Sequence, residues 1–316
     1  MENHIIGYRE FEAALEAAGI EYRKNELLSG YATFRIGGPA DIAVFPKNEA
    51  ELEESCSAAG LYGVRFIAVG NGSDLLFDDA GFRGAVIFTS SVRSVAIEGN
   101  MLTVGCGMPL TVAAKLAADA GLSGLEFSFG IPGSVGGAVF MNAGAYGGQI
   151  SDVLSSCRML NTATGEIITV PGSEMRFGYR RSLPAEVGGL IVLSASFELK
   201  TGDSAEITGK MRELMGRRIS KQPLDMPSAG SVFRRPAPDI FVGKMIEDSG
   251  LKGSRVGGAE VSNKHAGFIV NAGGAKAEDV KKLVGIIKDR IYSDYGVRLE
   301  TEIEYVPEKD DGVTGR

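Results

Sequence analysis

Apolar and polar positions recur along this chain with two periods, near 3.6 and near 2, that mark helices and strands in turn. Helical spacing over 8–19, closed by Gly19, predicts an amphipathic helix, and Asn48-Glu49-Ala50-Glu51 is a capping-box start for a second that ends at Gly60. Runs at 64–69, 85–89 and 102–104 are apolar or β-branched, of strand length, and bounded by glycine. A third helix is predicted over 109–120, with Pro109 near its first turn and Gly121 as its stop. A long β-rich run fills 189–200. The Gly202-Asp203 step then leads into a helix at about 204–219, with Ile207, Met211, Leu214 and Met215 on one stripe. Pro223, Pro227, Pro236 and Pro238 follow closely, which puts a domain boundary near 200–222. The remainder predicts a strand at 267–271, a helix at about 277–292 with Val280, Leu283, Ile287 and Ile291 on one face, and a final strand at 297–306. In that strand Leu299, Thr301, Ile303 and Tyr305 share one face and Glu300, Glu302 and Glu304 the other. The fold class is α+β, in at least two domains.

Composition sharpens this picture. The 316 residues include 44 glycines, about one in seven, roughly twice the ordinary frequency, without a collagen-like period. Glycine therefore serves backbone geometry: positive φ, tight turns or close approach to a ligand. Nine of the glycines fall in 121–148. Cys56, Cys106 and Cys157 are widely spaced and odd in number, which argues against a disulfide framework or thiolate zinc site and predicts inert core thiols. With His4 and His265 as the only histidines, no metal site is expected. A polar N-terminus and the lack of an apolar run of membrane length predict a cytoplasmic protein. Net charge is −7, which excludes nonspecific nucleic-acid binding, but 209–264 holds 11 basic against 6 acidic residues and could receive an anionic ligand.

Five segments could carry chemistry. Gly70-Asn71-Gly72-Ser73-Asp74-Leu75 follows a strand, as a phosphate-cradling turn would, yet Leu75 stands where a dinucleotide fingerprint needs glycine, and no Walker loop occurs. The run from Gly130 to Gly147 has few side chains with which to build a core and suits a long, flat ligand lying along the backbone. Two such loops suggest a pyrophosphate-containing cofactor in a non-Rossmann fold. Tyr179-Arg180-Arg181-Ser182 and Gly230-Ser231-Val232-Phe233-Arg234-Arg235 pair an arginine fork with a serine that could donate a proton to a strongly basic acceptor. Solvated arginines and a turn serine fit those residues as well. Lys264-His265 leads into a strand, where a hydrogen-bonded structural histidine is the ordinary outcome. The Glu300/Glu302/Glu304 face reads as a solvated strand face, although a partly buried member would have a raised pKa.

Taken in order, these motifs resemble the UDP-N-acetylenolpyruvoylglucosamine reductase family over nearly the whole chain. They are Thr33-Phe34-Arg35-Ile36-Gly37-Gly38-Pro39-Ala40-Asp41, the 70–76 loop, Pro132-Gly133-Ser134-Val135-Gly136-Gly137-Ala138, Met141-Asn142-Ala143-Gly144-Ala145-Tyr146-Gly147, Tyr179-Arg180-x-Ser182, Gly230-Ser231-x-Phe233, Lys264-His265-Ala266 and Leu299-x-x-Glu302. The resemblance implies a vanillyl-alcohol-oxidase (PCMH)-type FAD-binding fold in two subdomains, 1–88 and 89–201, a substrate-binding domain at 202–307, and a tail at 308–316. It implies bound FAD, NADPH as hydride donor, hydride delivery to C3 of the enolpyruvyl group, and a monomer that meets neither nucleic acid nor membrane. Ser231 would protonate C2, while Arg180 and Glu302 would stabilise the enolate and carboxylate. FAD would meet Arg35, Gly37, Gly70, Asn71, Gly72, Ser73, Asp74, Leu75, Pro132, Gly133, Ser134, Gly136, Gly137, Ala138, Asn142, Gly144, Ala145 and Arg218. The nucleotide sugar would meet Lys221, Arg235, Lys264 and His265. Arg235 stands where many members have asparagine, and the short spacing after Arg180 matches the subtype lacking an inserted tyrosine-bearing loop. An FAD oxidase of the same flavin fold and a noncatalytic nucleotide-sugar binder are the alternatives; the C-terminal motifs argue against the first and an intact Arg180, Ser231 and Glu302 against the second.

Overall fold

Two apolar stretches with no polar face, 39–45 and 82–88, pair in parallel, as strands covered on both faces do. They form the centre of a four-stranded sheet ordered β1 (Glu21–Leu27), β2 (Pro39–Phe45), β5 (Phe82–Phe88), β3 (Phe66–Val69). Ile42, Val44 and Ile87 enter one core with Phe11 and Leu15 of α1 (Glu2–Ala17) and Leu52 and Cys56 of α2 (Glu49–Leu61). Ala43, Val86 and Phe88 pack on the other face with Leu28, Phe77 and Phe82. Asn48 caps α2, its Oδ1 accepting from the Glu51 N–H at 2.9 Å. This computed structural model describes residues 2–309, with 2–6 as backbone only; the side chain of His4, and the expected tail beyond Lys309, lie outside the described residues.

The second sheet is wholly antiparallel, ordered β12 (Ile167–Pro171), β11 (Leu154–Asn161), β13 (Leu190–Glu198), β7 (Met101–Gly105), β6 (Val95–Glu98). It shares the first core with α3 (Leu110–Asp119). The helix α6 (Ser204–Lys221) also joins that core through Ile207 and Met211, so the packing changes partner after Lys221. A separate core is built from α7 (Val242–Asp248), α8 (Ala277–Tyr295) and a small sheet of β15 (Arg255–Val256), β16 (Ala259–Val261) and β17 (Ile269–Asn271). The α8 stripe of Val280, Leu283, Ile287 and Ile291 is fully buried in it. Phe34 and Ile36 cross from the N-terminal part to fill the same core, which leaves Arg35 between them exposed.

Two elements differ from the sequence expectation. Residues 297–306 do not form one strand: Thr301 makes an isolated bridge to Phe233, the chain bends at 302–303, and β18 covers only Glu304–Val306. The bend buries Glu302 and Ile303 together, which strict alternation forbids. β18 then runs parallel to β4 (Leu75–Phe77), tying the chain's end to the first glycine loop. The second glycine-rich run contains a helix, α4 (Val135–Phe140), capped by Ser134 Oγ accepting from the Gly137 N–H at 3.3 Å. No helix among the described residues is long and apolar enough to cross a membrane.

Candidate active site

The glycine loops face each other because main-chain bonds fix both. Asn71 Nδ2 donates to the Pro132 carbonyl at 2.8 Å, joining loop to loop. Thr33 N–H donates to the Gly72 carbonyl at 3.1 Å, and Val135 and Gly136 donate to Met108 and Cys106 at 2.8 Å each. Small residues are required here. A Cβ on Gly70 would stand 2.0 Å from Ser134 Oγ, and Gly72 combines φ +56 with a Tyr31 carbonyl only 2.3 Å from where its Cβ would be.

These loops line part of a cavity of roughly 1930 Å³ that continues between the N-terminal sheets and the C-terminal core. A single drug-sized ligand needs about 300–1,000 Å³, so this space suits two large molecules. The predicted Arg35, Gly70, Asn71, Gly72, Ser73, Asp74, Leu75, Pro132, Gly133, Ser134, Gly136, Gly137, Ala138, Gly144, Ala145 and Arg218 all line it. So do Lys221, Arg235, Lys264 and His265.

Gly37 and Asn142 do not. Gly37, at φ +142, has Phe77 Cβ 2.8 Å from where its own Cβ would be, so it is glycine for packing. Asn142 is buried, its Nδ2 donating to the Gly178 carbonyl at 3.0 Å and its Oδ1 accepting from the Ser151 N–H at 3.0 Å. It braces the turn that carries Arg180 rather than touching the cavity.

Arg180, Ser231 and Glu302 line the same cavity, Arg180 and Glu302 close to the end of the first loop at Asp74. Gly230, at φ +78, turns the chain before Ser231, and the following segment pairs with the last one: Glu302 N–H donates to the Val232 carbonyl at 2.7 Å and Arg234 N–H to the Glu300 carbonyl at 3.0 Å. That register sets Val232 across from Glu302, with Ser231 the residue before it and bridged to Phe268. Among the described residues the Ser231 hydroxyl has no hydrogen-bond partner. Arg180 sits at φ +55 in a tight turn closed by Gly178 and Arg181, and its Nε donates to Glu302 Oε1 at 2.6 Å. Burial works against the Arg180 charge, but Glu302 outweighs it and holds the guanidinium above its ordinary pKa. Tyr179, which sequence reasoning left out of the site, donates its hydroxyl to Glu302 Oε2 at 3.4 Å and accepts from the Arg235 N–H at 3.3 Å. Its adjacency to Arg180 was the available signal. Arg181 turns away to Glu186.

The basic residues divide in role. Lys264 Nζ donates to the Ile219 carbonyl at 2.7 Å near the end of α6, so its ammonium already has a partner. The His265 Nδ1 accepts from the Gly267 N–H at 3.1 Å, and burial lowers its pKa, so it presents a neutral ring. Lys221 and Arg235 are exposed at the cavity. Arg218 is buried, with Nε unpartnered and burial lowering its pKa. A buried donor left open on the wall of a glycine-lined trough fits a flavin nucleotide, and the residues best placed to hold one are the two loops with Arg218. The three cysteines are buried and pushed up to about 12, which makes them inert thiols.

Both parts of the chain resemble known proteins. A family described as FAD binding domain matches residues 40–171, and one described as UDP-N-acetylenolpyruvoylglucosamine reductase, C-terminal domain, matches 222–306. A UDP-N-acetylenolpyruvoylglucosamine reductase of Caldicellulosiruptor bescii is 46% identical over 301 residues, 95% of each chain. One from Streptococcus thermophilus is 43% identical, covering 93% of this chain and 96% of its own. The crystal structure of UDP-N-acetylenolpyruvylglucosamine reductase from Thermus caldophilus superposes with a TM-score of 0.77 at 35% identity, covering 91% of this chain and 99% of that one.

Proposed function

Because the chain belongs to the UDP-N-acetylenolpyruvoylglucosamine reductase family, we propose that Ser231, Arg180 and Glu302 are the residues that act on the enolpyruvyl group. The protein is an NADPH-dependent flavoprotein oxidoreductase with a PCMH-type FAD-binding fold, and it reduces UDP-N-acetylenolpyruvoylglucosamine in peptidoglycan synthesis. FAD, when bound, supplies hydride taken from NADPH to C3 of the substrate double bond.

The chain's own residues do the rest. Ser231, with an unengaged hydroxyl at the cavity wall, gives its proton to C2. A serine is a weak acid, and C2 adjoining a carboxylate is the strongly basic acceptor it needs. Arg180 faces the negative charge that spreads onto the carboxylate oxygens, fixed in advance by Glu302 so that little reorganisation is needed as charge develops. Tyr179 steadies Glu302 and the Arg235 backbone. Lys221 and Arg235 supply positive charge for the diphosphate. A cytoplasmic location accompanies this reading.

The observation that carries it is the convergence of Ser231, Arg180 and Glu302, by main-chain register and one short ion pair, on a cavity that also contains both glycine loops. Ser231→Ala tests it. Flavin reduction by NADPH should stay near the wild-type rate, while reoxidation by substrate falls roughly 10²-fold or more. Equal slowing of both half-reactions would remove Ser231 from the role.

A further inference from the structure

Asp74 stands where the first glycine loop enters β4, on the cavity wall it shares with Arg180 and Glu302. Its charged neighbours come from three other segments: Glu302 and Glu304 from the bend and β18, Arg180 from the 178–181 turn, and Arg234 from the segment after Ser231. Main-chain bonds hold the corner together. β18 places Glu304 opposite Leu75, and the Glu304 N–H donates to the Asp74 carbonyl at 2.8 Å.

The charges here pair off unevenly. Arg180 Nε meets Glu302 Oε1 at 2.6 Å, and Arg234 Nη2 lies 3.7 Å from Glu304 Oε1. Among the described residues two cations face two carboxylates, and Asp74 is a third. Among the described residues its carboxyl oxygens accept no hydrogen bond and join no ion pair. If ionised, it would give the corner a net negative charge at the place where a substrate carboxylate has to enter.

On the functional reading above, we infer that Asp74 is carried as the neutral acid in the working enzyme, a positioning residue whose proton leaves the Arg180–Glu302 pair free to receive the substrate carboxylate. Burial first, and then the charges of Glu302 and Glu304, push its carboxyl up to about 8, with Arg180 and Arg234 opposing. Below that pH the corner is balanced. Above it Asp74 ionises, and a carboxylate-bearing ligand is repelled while one without a carboxylate is not.

The test is equilibrium binding to the oxidised holoenzyme, followed by flavin absorbance on both sides of pH 8. The ligands are UDP-N-acetylmuramate, which carries the carboxylate, and UDP-N-acetylglucosamine, which lacks it. The Kd of the first should be flat below pH 8 and rise by up to tenfold per pH unit above it; the Kd of the second should show no such rise. Asp74→Asn should abolish the rise. A second variant, Glu304→Gln, removes one of the charges that keep Asp74 protonated and should move the onset to lower pH. A rise that persists in Asp74→Asn, an onset unmoved in Glu304→Gln, or a flat wild-type profile overturns the inference. Failure of both nucleotides to bind at any pH would instead break the functional reading, and the inference with it.

Discussion

Arg180 is the residue in which conformation and chemistry are most tightly joined. Its φ of +55 is unusual for a side-chain-bearing residue, and the turn is held by Asn142 from beneath and by Glu302 at the side-chain tip. Because the guanidinium is a planar fork, lysine cannot reproduce the pairing. Arg180→Lys should retain FAD and NADPH-driven reduction but slow reoxidation by substrate by roughly 10²-fold, measured by stopped-flow absorbance. Asp74 gives a stability prediction of definite sign. Its folded pKa of about 8 lies above the ordinary carboxylate range, so the folded state binds the extra proton between those two values. The contribution of Asp74 to stability should therefore fall as pH rises from about 4 to 8, by at most about 1.4 kcal/mol per pH unit. Asp74→Asn should gain on the wild type over that interval in urea melts at pH 5 and pH 8; a constant difference would contradict it. At this scale the sequence is informative where a motif names a residue that the fold then places on the cavity, as with Ser231 and Glu302. It is less so where glycine or asparagine serves packing and ligand approach alike: Gly37 and Asn142 lie within the motifs yet sit away from the cavity. The burial that raises the Asp74 pKa depends on β18, far away in sequence, and no local pattern reports it.

Among the elements, helix α6 carries Arg218 and Lys221 to the cavity and starts from a strong cap, Asp203 Oδ1 accepting from the Ala205 and Glu206 N–H groups at 2.9 Å each. Asp203→Ala should cost about 1 kcal/mol of stability while leaving both half-reaction rates unchanged, as denaturant melts and stopped-flow traces would show. Helix periods and their caps were readable because they depend on nearby residues; α2 begins at its predicted capping box, and the α8 stripe is buried as spaced. Two features were not. α4 hides in a glycine-rich run because its sequence has low helix propensity and is held instead by Ser134 and by bonds to Cys106 and Met108. The 302–303 bend hides inside a clean alternation, because pairing with Val232 and then with β4 overrides the local pattern. That bend is what turns Glu302 from a surface carboxylate into a site residue.

Across the whole molecule, the two N-terminal cores and the C-terminal core meet at a cavity that none could build alone, with Phe34, Ile36 and β18 stitching the halves together. A ligand that spans the loops should therefore stabilise the entire chain by mass action. Removal of FAD should lower Tm by several degrees, with Tm recovering as free FAD is raised. Net charge told little at this scale, since the basic surplus in 209–264 is local and Lys264 spends its ammonium on the end of α6. The glycine excess told more, because two of the glycine-rich segments form the trough itself. The central claim is that one cavity joins the flavin to Ser231, Arg180 and Glu302, and it is tested most directly by reducing the holoenzyme with NADPH under anaerobic conditions and then adding UDP-N-acetylenolpyruvoylglucosamine. The flavin absorbance should bleach with NADPH and return on addition of the nucleotide sugar; a bleached flavin that stays reduced would contradict the account.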